Sequence, residues 1–235
     1  AEDAPGLARA GWVARRLEAP GPQGTGRDAL LALFGGAGDE ERLGQATAED
    51  LVEAAQVFRQ MQGLSAQTLG CLAFHLWRAM PEDPAELAGN RTPKARDLSA
   101  AVLAARLAAG AGLGFLPLTL AGYGGLTASG TVERRLAAFY ATAHQAVLSA
   151  LMTLDRLRRW QERATEATSD LSGRTPARLI ACLSDWPTVT APMAEKITGA
   201  SRAAVQRNLD RLVARGLIRE ITGQGRFRVW SAKLP

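Results

Sequence analysis

The stretch TPARLIACLSDWPTVTAPMAEKITGASRAAVQRNLDRLVARGLIREITGQGRFRVW, residues 175 to 230, sets three short helical patterns and two strand patterns in one fixed order. TPARLIACLSDWP gives a first helix, with Pro176 in its first turn and Leu179, Ile180, Leu183 and Trp186 as packing residues. TVTAPMAEKITG gives a second, with Thr190 as N-cap, Met193, Ala194 and Ile197 facing inward, and Gly199 as the C-cap. Ser201 caps a third helix that runs to about Arg215. After Gly216 the period changes: LIREI and RFRVW are short segments rich in β-branched and aromatic residues, joined by the hairpin signal TGQG.

Two helices about a Gly-centred turn form a helix-turn-helix, and with the hairpin the pattern predicts a winged helix. On a helical wheel, Val205, Leu209, Leu212 and Val213 share one side of the third helix and pack inward. The opposite side carries Ala203, Arg207, Asp210, Arg211 and Ala214, with Gln206 at its margin. These residue types suit a DNA major groove: Arg207 for a bidentate contact to guanine, Gln206 for adenine, Ala203 for a thymine methyl. Ser201 and Arg202, at the helix start, suit phosphate; a cation at the positive end of the helix dipole is accounted for by an external anion. Alternation of Phe227 and Val229 inward would turn Arg226 and Arg228 outward together, towards phosphates or a minor groove. The plainer alternative is that exposed arginines only solubilise the helix.

Charge is concentrated in the same segment. From Arg174 onward eleven basic residues face four acids, a local net of +7, whereas the whole chain of 235 residues is +5 and the remainder therefore −2. A basic module on a near-neutral body is the asymmetry of a nucleic-acid binder. Cys71 and Cys182 lie far apart, with no CxxC pair and no histidine at metal spacing, so no metal or cofactor is expected and a reducing cytoplasm fits. The most apolar stretch, LAAGAGLGFLPLTLA, is too short and too rich in glycine to cross a bilayer, and no leader pattern opens the chain. The chain starts on Ala1, so a further domain of the natural protein upstream is left open.

The remainder is expected to be helical. Residues 1–17 carry Leu7, Trp12, Val13 and Leu17; EAPGPQGTGRD (18–28) reads as a loop; helical signals return at 28–34. Residues 47–61 pair Thr47 with Asp50 in a capping box and align Leu51, Ala55, Phe58 and Met61. Residues 65–80 align Leu69, Leu72, Leu76 and Met80, and an Ala-rich helix follows at 93–109. Gly110, Gly112 and Gly114 do not match a phosphate-binding pattern and read as a structural crossover. One helix over about 131–167, about 55 Å long, bears an apolar seam of Val132, Leu136, Phe139, Ala143, Ala146, Ala150, Leu154 and Leu157. That seam suits either an intramolecular core or a homodimer. ATSDLSGRT (167–175) is a linker. The expected class is mostly α: a helical domain over 1–130, a connecting helix and linker over 131–173, and a winged helix-turn-helix with a small β-hairpin over 174–235.

PTVTAPMAEKITGASRAAVQRNLDRLVARGLIREITGQGRFRVW resembles the winged-helix domain that closes many Fic-family proteins. It resembles still more that of an alphaproteobacterial, often plasmid-encoded helix-turn-helix family related to them. The resemblance extends upstream through FLPLTLAGYGGLTASGTVERRLAAFYATAHQAVLSALMTLDRLRRWQ, so it covers roughly the last half of the chain. The module itself leads to the expectation of a sequence-specific duplex-DNA-binding protein, a transcriptional regulator of its own or neighbouring genes. A replication or partition factor using the same module, a truncated Fic-related transferase and a protein adaptor are the alternatives. The Fic motif HxFx[DE]GNGR is not present: AGNRTP at 88–93 lacks the histidine, the acid and the second glycine, so no catalytic role carries over. His75 and His144, the two histidines, have no nucleophile or acid at motif spacing, and no enzymatic activity is expected.

Overall fold

The computed structural model describes residues 4–18, 48–61, 63–79, 94–110, 113–223 and 227–235. The described chain is mostly helical, with one three-stranded antiparallel sheet. It divides into two compact units, Ala1–Ala150 and Leu151–Pro235, and the division falls inside a single long helix. The expected loop at 18–28, the helix at 28–34, Thr47 of the capping box, Met80 and Gly112 lie outside the described residues or on their edges, as do the side chains of Leu7 and Leu51.

The first unit contains α1 (Ala4–Glu18), α2 (Ala48–Gln60), α3 (Ala66–Ala79), α4 (Lys94–Ala109), a 3₁₀ turn at Leu118–Ala121 and the first part of α5 (Val132–Glu166). Alanine is the strongest helix former and takes little room. In α4 that permits close approach: Ala100, Ala101, Ala104, Ala105 and Ala108 are all buried. The face of α3 set against it is small as well. A Cβ built on Gly70 would lie 2.7 Å from Ala108 Cβ and 2.9 Å from the Ala104 carbonyl oxygen. The buried stripe of α3 is therefore Gly70, Cys71, Phe74 and Trp77, while the expected Leu69, Leu72 and Leu76 are only half-buried. Leucine spacing marked the neighbouring stripe because the closest contact is made by the smallest residues. Trp77 Nε1 donates to Ser99 Oγ at 3.0 Å, satisfying the indole within the core.

The glycine-rich connection after α4 is a packing device. Gly110 ends the helix at φ 64°, and a Cβ on Gly125 would fall 1.7 Å from Thr142 Oγ1 and 3.0 Å from the Ala138 carbonyl oxygen on α5. Beside it Leu126 is fully buried. In α5 the expected seam is buried at Phe139, Ala143 and Ala146 and half-buried at Leu136, Ala150 and Leu157. Val132 and Leu154 are exposed instead. Val132 opens the helix, ahead of the unit's core, and Leu154 precedes Leu157, where the core of the second unit begins.

The second unit contains the end of α5, then α6 (Thr175–Asp185), β1 (Val189–Thr190), α7 (Ala191–Thr198), α8 (Arg202–Ala214), β2 (Ile218–Glu220) and β3 (Val229–Ala232). The sheet order is β1-β3-β2, with Val189 opposite Trp230 and Arg219 opposite Ser231. Trp160, Trp230, Leu179, Leu183, Leu209 and Ile218 centre its core. Trp160 Nε1 donates to the Leu217 carbonyl at 2.7 Å, fixing the chain where α8 hands over to β2.

Three expected core positions are exposed. Trp186 follows the end of α6 in extended conformation, off the helical face, and is 43% exposed. In the eight-residue α7 the buried face is Ala194 and Thr198, so Ile197 steps about 100° away and stands in solvent. Phe227 occupies a bend at φ 57° before β3 begins and is 88% exposed, so the expected inward alternation with Val229 does not hold. Strand β1 answers to no expected element.

Candidate nucleic-acid interface

The turn between α7 and α8 is built from local polar bonds. Thr190 caps α7 by accepting from the Met193 N–H at 3.3 Å, and Gly199 ends it in the left-handed region at φ 66°. Thr198 Oγ1 donates to the Ala194 carbonyl at 2.6 Å and accepts from the Ala200 N–H at 3.3 Å. Arg178 of α6 donates to the Thr198 carbonyl at 2.7 Å, tying a third helix to the turn. Ser201 caps α8 by accepting from the Ala204 N–H at 3.4 Å.

These bonds set the roll of α8. Val205, Leu209 and Leu212 are buried, Val213 is half-buried and Asn208, also buried, donates to the Ala204 carbonyl at 2.8 Å. The outer face presents Ala203, Arg207, Asp210, Arg211 and Ala214, all exposed, with Gln206 half-exposed beside them. Ala203, Gln206, Arg207 and Arg211 are thus brought together as the wheel predicts. Neither Arg207 nor Arg211 makes a hydrogen bond or ion pair among the described residues, and the two stand one helical turn apart.

The remaining predicted positions are occupied differently. Arg202 pairs with Glu195 of α7, Nε to Oε1 at 2.8 Å, so the anion at the start of α8 is internal. Ser201 Oγ already serves as the cap. Arg228 lies 5.0 Å from the centroid of the Trp230 ring and 4.0 Å from Asp210 Oδ1. Arg226 lies outside the described residues. Glu220 accepts from the Thr222 and Gly223 N–H groups at 2.7 and 3.1 Å and from the Thr222 hydroxyl, folding the chain after β2; the hydroxyl bond, first, holds its carboxyl below the usual range.

Asp210 joins these parts, a role that sequence reasoning did not assign. Its Oδ1 accepts from Gln206 Nε2 at 2.9 Å and faces Arg228 at 4.0 Å. The Gln206 amide is thereby oriented, with Oε1 and its second N–H left free. The i,i+4 spacing of glutamine and aspartate on one helix was the available signal. Chemically the face offers two unpaired guanidinium groups, one oriented amide and a small methyl, a set matched to anionic phosphates and to base edges.

Elsewhere, burial pushes the Cys71 thiol up to about 11 despite the opposing charge of Arg135, which keeps it protonated and unreactive. Burial, and then Arg135 and Arg78, hold His75 below its ordinary value. Among the described residues no cluster of three or more His, Cys, Asp or Glu side chains is placed to hold a metal ion. Nor, among them, is any helix long and apolar enough to cross a membrane. No protein-family model matches the chain, and no curated protein matches its sequence.

Proposed function

We propose that residues 174–235 form a winged helix that binds duplex DNA sequence-specifically, and that the protein is a transcriptional regulator. In this arrangement α7 and α8 make the helix-turn-helix, α8 enters the major groove, and β2 and β3 belong to the wing. One observation carries the proposal. Arg207 and Arg211 stand exposed on the outer face of α8 without a hydrogen bond or ion pair among the described residues, the Arg211 charge only reaching Asp170, whereas Arg178 and Arg215 of the same unit are engaged in holding it together. Arginine held free beside an oriented glutamine on a helix is the equipment of base readout. The net charge of +7 over the segment supplies the attraction for the backbone. Arg207 and Gln206 are the base-reading residues; Arg202 and Arg228 exchange their internal carboxylates for phosphates, each at the cost of one exposed ion pair. The relation to the C-terminal part of Fic-family proteins is part of the same proposal.

The test is selection of duplexes from a randomised library by the full chain, followed by binding isotherms for the enriched sequence and a scrambled one. A single motif should emerge, bound at least about 10³-fold more tightly than the scramble. Failure to bind any duplex at low salt would overturn the proposal and leave the same face to a protein partner.

A further inference from the structure

The first unit contains a cavity of about 740 Å³ between α1, α4 and the 3₁₀ turn. Its size lies within the range of small-molecule sites. The space exists because small residues stand where larger ones would close it. Ala14 of α1 and Ala101 and Ala105 of α4 line it, while Phe115 and Leu120, both exposed, stand at its mouth. The Arg106 side chain, which is not part of the lining, donates to the carbonyl of the lining residue Leu17 at 3.2 Å and holds α1 on α4. The wall formed by residues 115–123 is shaped by Pro117 and by Gly122, whose φ of 81° closes the turn.

The lining also states what kind of molecule belongs there. Among the described residues it is overwhelmingly apolar, with no lysine, arginine or histidine and with Glu18, exposed at the edge, as its one carboxylate. No lining side chain among the described residues offers an anion a countercharge, and Glu18 would repel it; an uncharged molecule leaves no charge to desolvate. Tyr123 lines the same wall, and its buried hydroxyl has no hydrogen-bond partner. The hydroxyl oxygen is closed off in this fold, so the ring has to shift for one oxygen of a bound molecule to satisfy it. We propose that this cavity is a binding site for an uncharged, mainly hydrocarbon small molecule bearing a single polar group. The site is separate from the α8 face, and its test does not depend on DNA binding.

The neutral dye N-phenyl-1-naphthylamine, titrated into the full chain, should show saturable fluorescence enhancement with one site per chain. Ala101→Leu fills the floor and Leu120→Asp charges the mouth. Each should weaken dye binding about tenfold or more, by lost volume in the first case and by a desolvated charge in the second. Circular dichroism should show both variants folded. Leu64→Asp, at an exposed apolar residue outside the lining, should bind the dye as the native chain does. 1-Decanol should displace the dye, and decanoate should need at least about ten times the concentration. Lack of saturable binding overturns the proposal. So does binding indifferent to both cavity variants when they are folded, or decanoate displacing the dye as well as 1-decanol.

Discussion

Arg215 grips Asp170 with both ends of its guanidinium, Nη1 to Oδ1 at 2.6 Å and Nη2 to Oδ2 at 2.8 Å, and also donates to the Ala167 carbonyl. One side chain thereby fastens the end of α8 to the turn that follows α5. The Arg215 hydrogen bond, and after it the opposing desolvation and the Arg215 charge, leave the Asp170 carboxyl below its usual range. A carboxyl depressed on folding contributes stability that is present above its unfolded pKa and lost as pH falls through the folded value. Asp170→Asn should therefore lower Tm slightly at pH 7, and the gap from the native chain should vanish in strong acid. Thermal melts by circular dichroism over a pH series check this; a gap that widens on acidification contradicts it.

The contact of α3 with α4 at Gly70 leaves no room for a side chain. Gly70→Ala must push against both Ala108 Cβ and the Ala104 carbonyl, and Gly70→Val must do so with two further carbons. Backbone yields less readily than a flexible side chain, so the order of stability should be Gly70, then Ala, then Val. The valine variant should lose about 1–3 kcal/mol or more. Urea unfolding measures the order, and equal midpoints for native and Val would show that the helices are not in close contact there.

What the sequence made readable was set by neighbours a few residues away. Thr190, Gly199 and Ser201 cap and turn their helices as their types demand, because each bond closes within four residues. The inner face of α8 follows from the 3.6 period alone. Strand β1 was not readable: two residues, Val189 and Thr190, are a strand only because Trp230 and Val229 pair with them. The partners of the arginines were hidden for the same reason. Arg202 meets Glu195 across the turn, whereas its place at the helix start assigned it to an outside anion, and Arg215, to which the sequence assigned no partner, meets Asp170 forty-five positions away. In α3 spacing identified a helix but not its buried stripe, since a glycine at the contact carries no hydropathy signal.

Leu151 and Met152, at the start of the second unit, are exposed on α5, Met152 at 68%. We propose that a second copy of the helix covers these side chains in a homodimer, an arrangement that suits a two-fold DNA site. Leu151→Glu should convert a dimer to a monomer in sedimentation velocity at tens of micromolar while leaving the circular dichroism unchanged. A native chain that sediments as a monomer removes the homodimer.

The outer face of α8 and the wing should separate under mutation. Arg207 has no internal partner, so Arg207→Ala removes only what it does outside the protein. If it reads a base, the selected duplex should be weakened by about 1–3 kcal/mol and the sequence preference at one position relaxed, while a scrambled duplex is little affected. Arg228 stacks on Trp230 near Asp210, so its action on DNA is as a charge near the backbone. Arg228→Ala should weaken selected and scrambled duplexes alike, and lower the slope of log K against log salt by about one. Asp210→Ala frees the Gln206 amide to rotate, and should broaden the preference without changing the salt slope by more than the removal of one repulsive carboxylate allows. Salt-titrated isotherms on the two duplexes read all three variants. Equal losses on both duplexes for Arg207→Ala would make that arginine a phosphate contact and move base reading to Gln206 and Ala203.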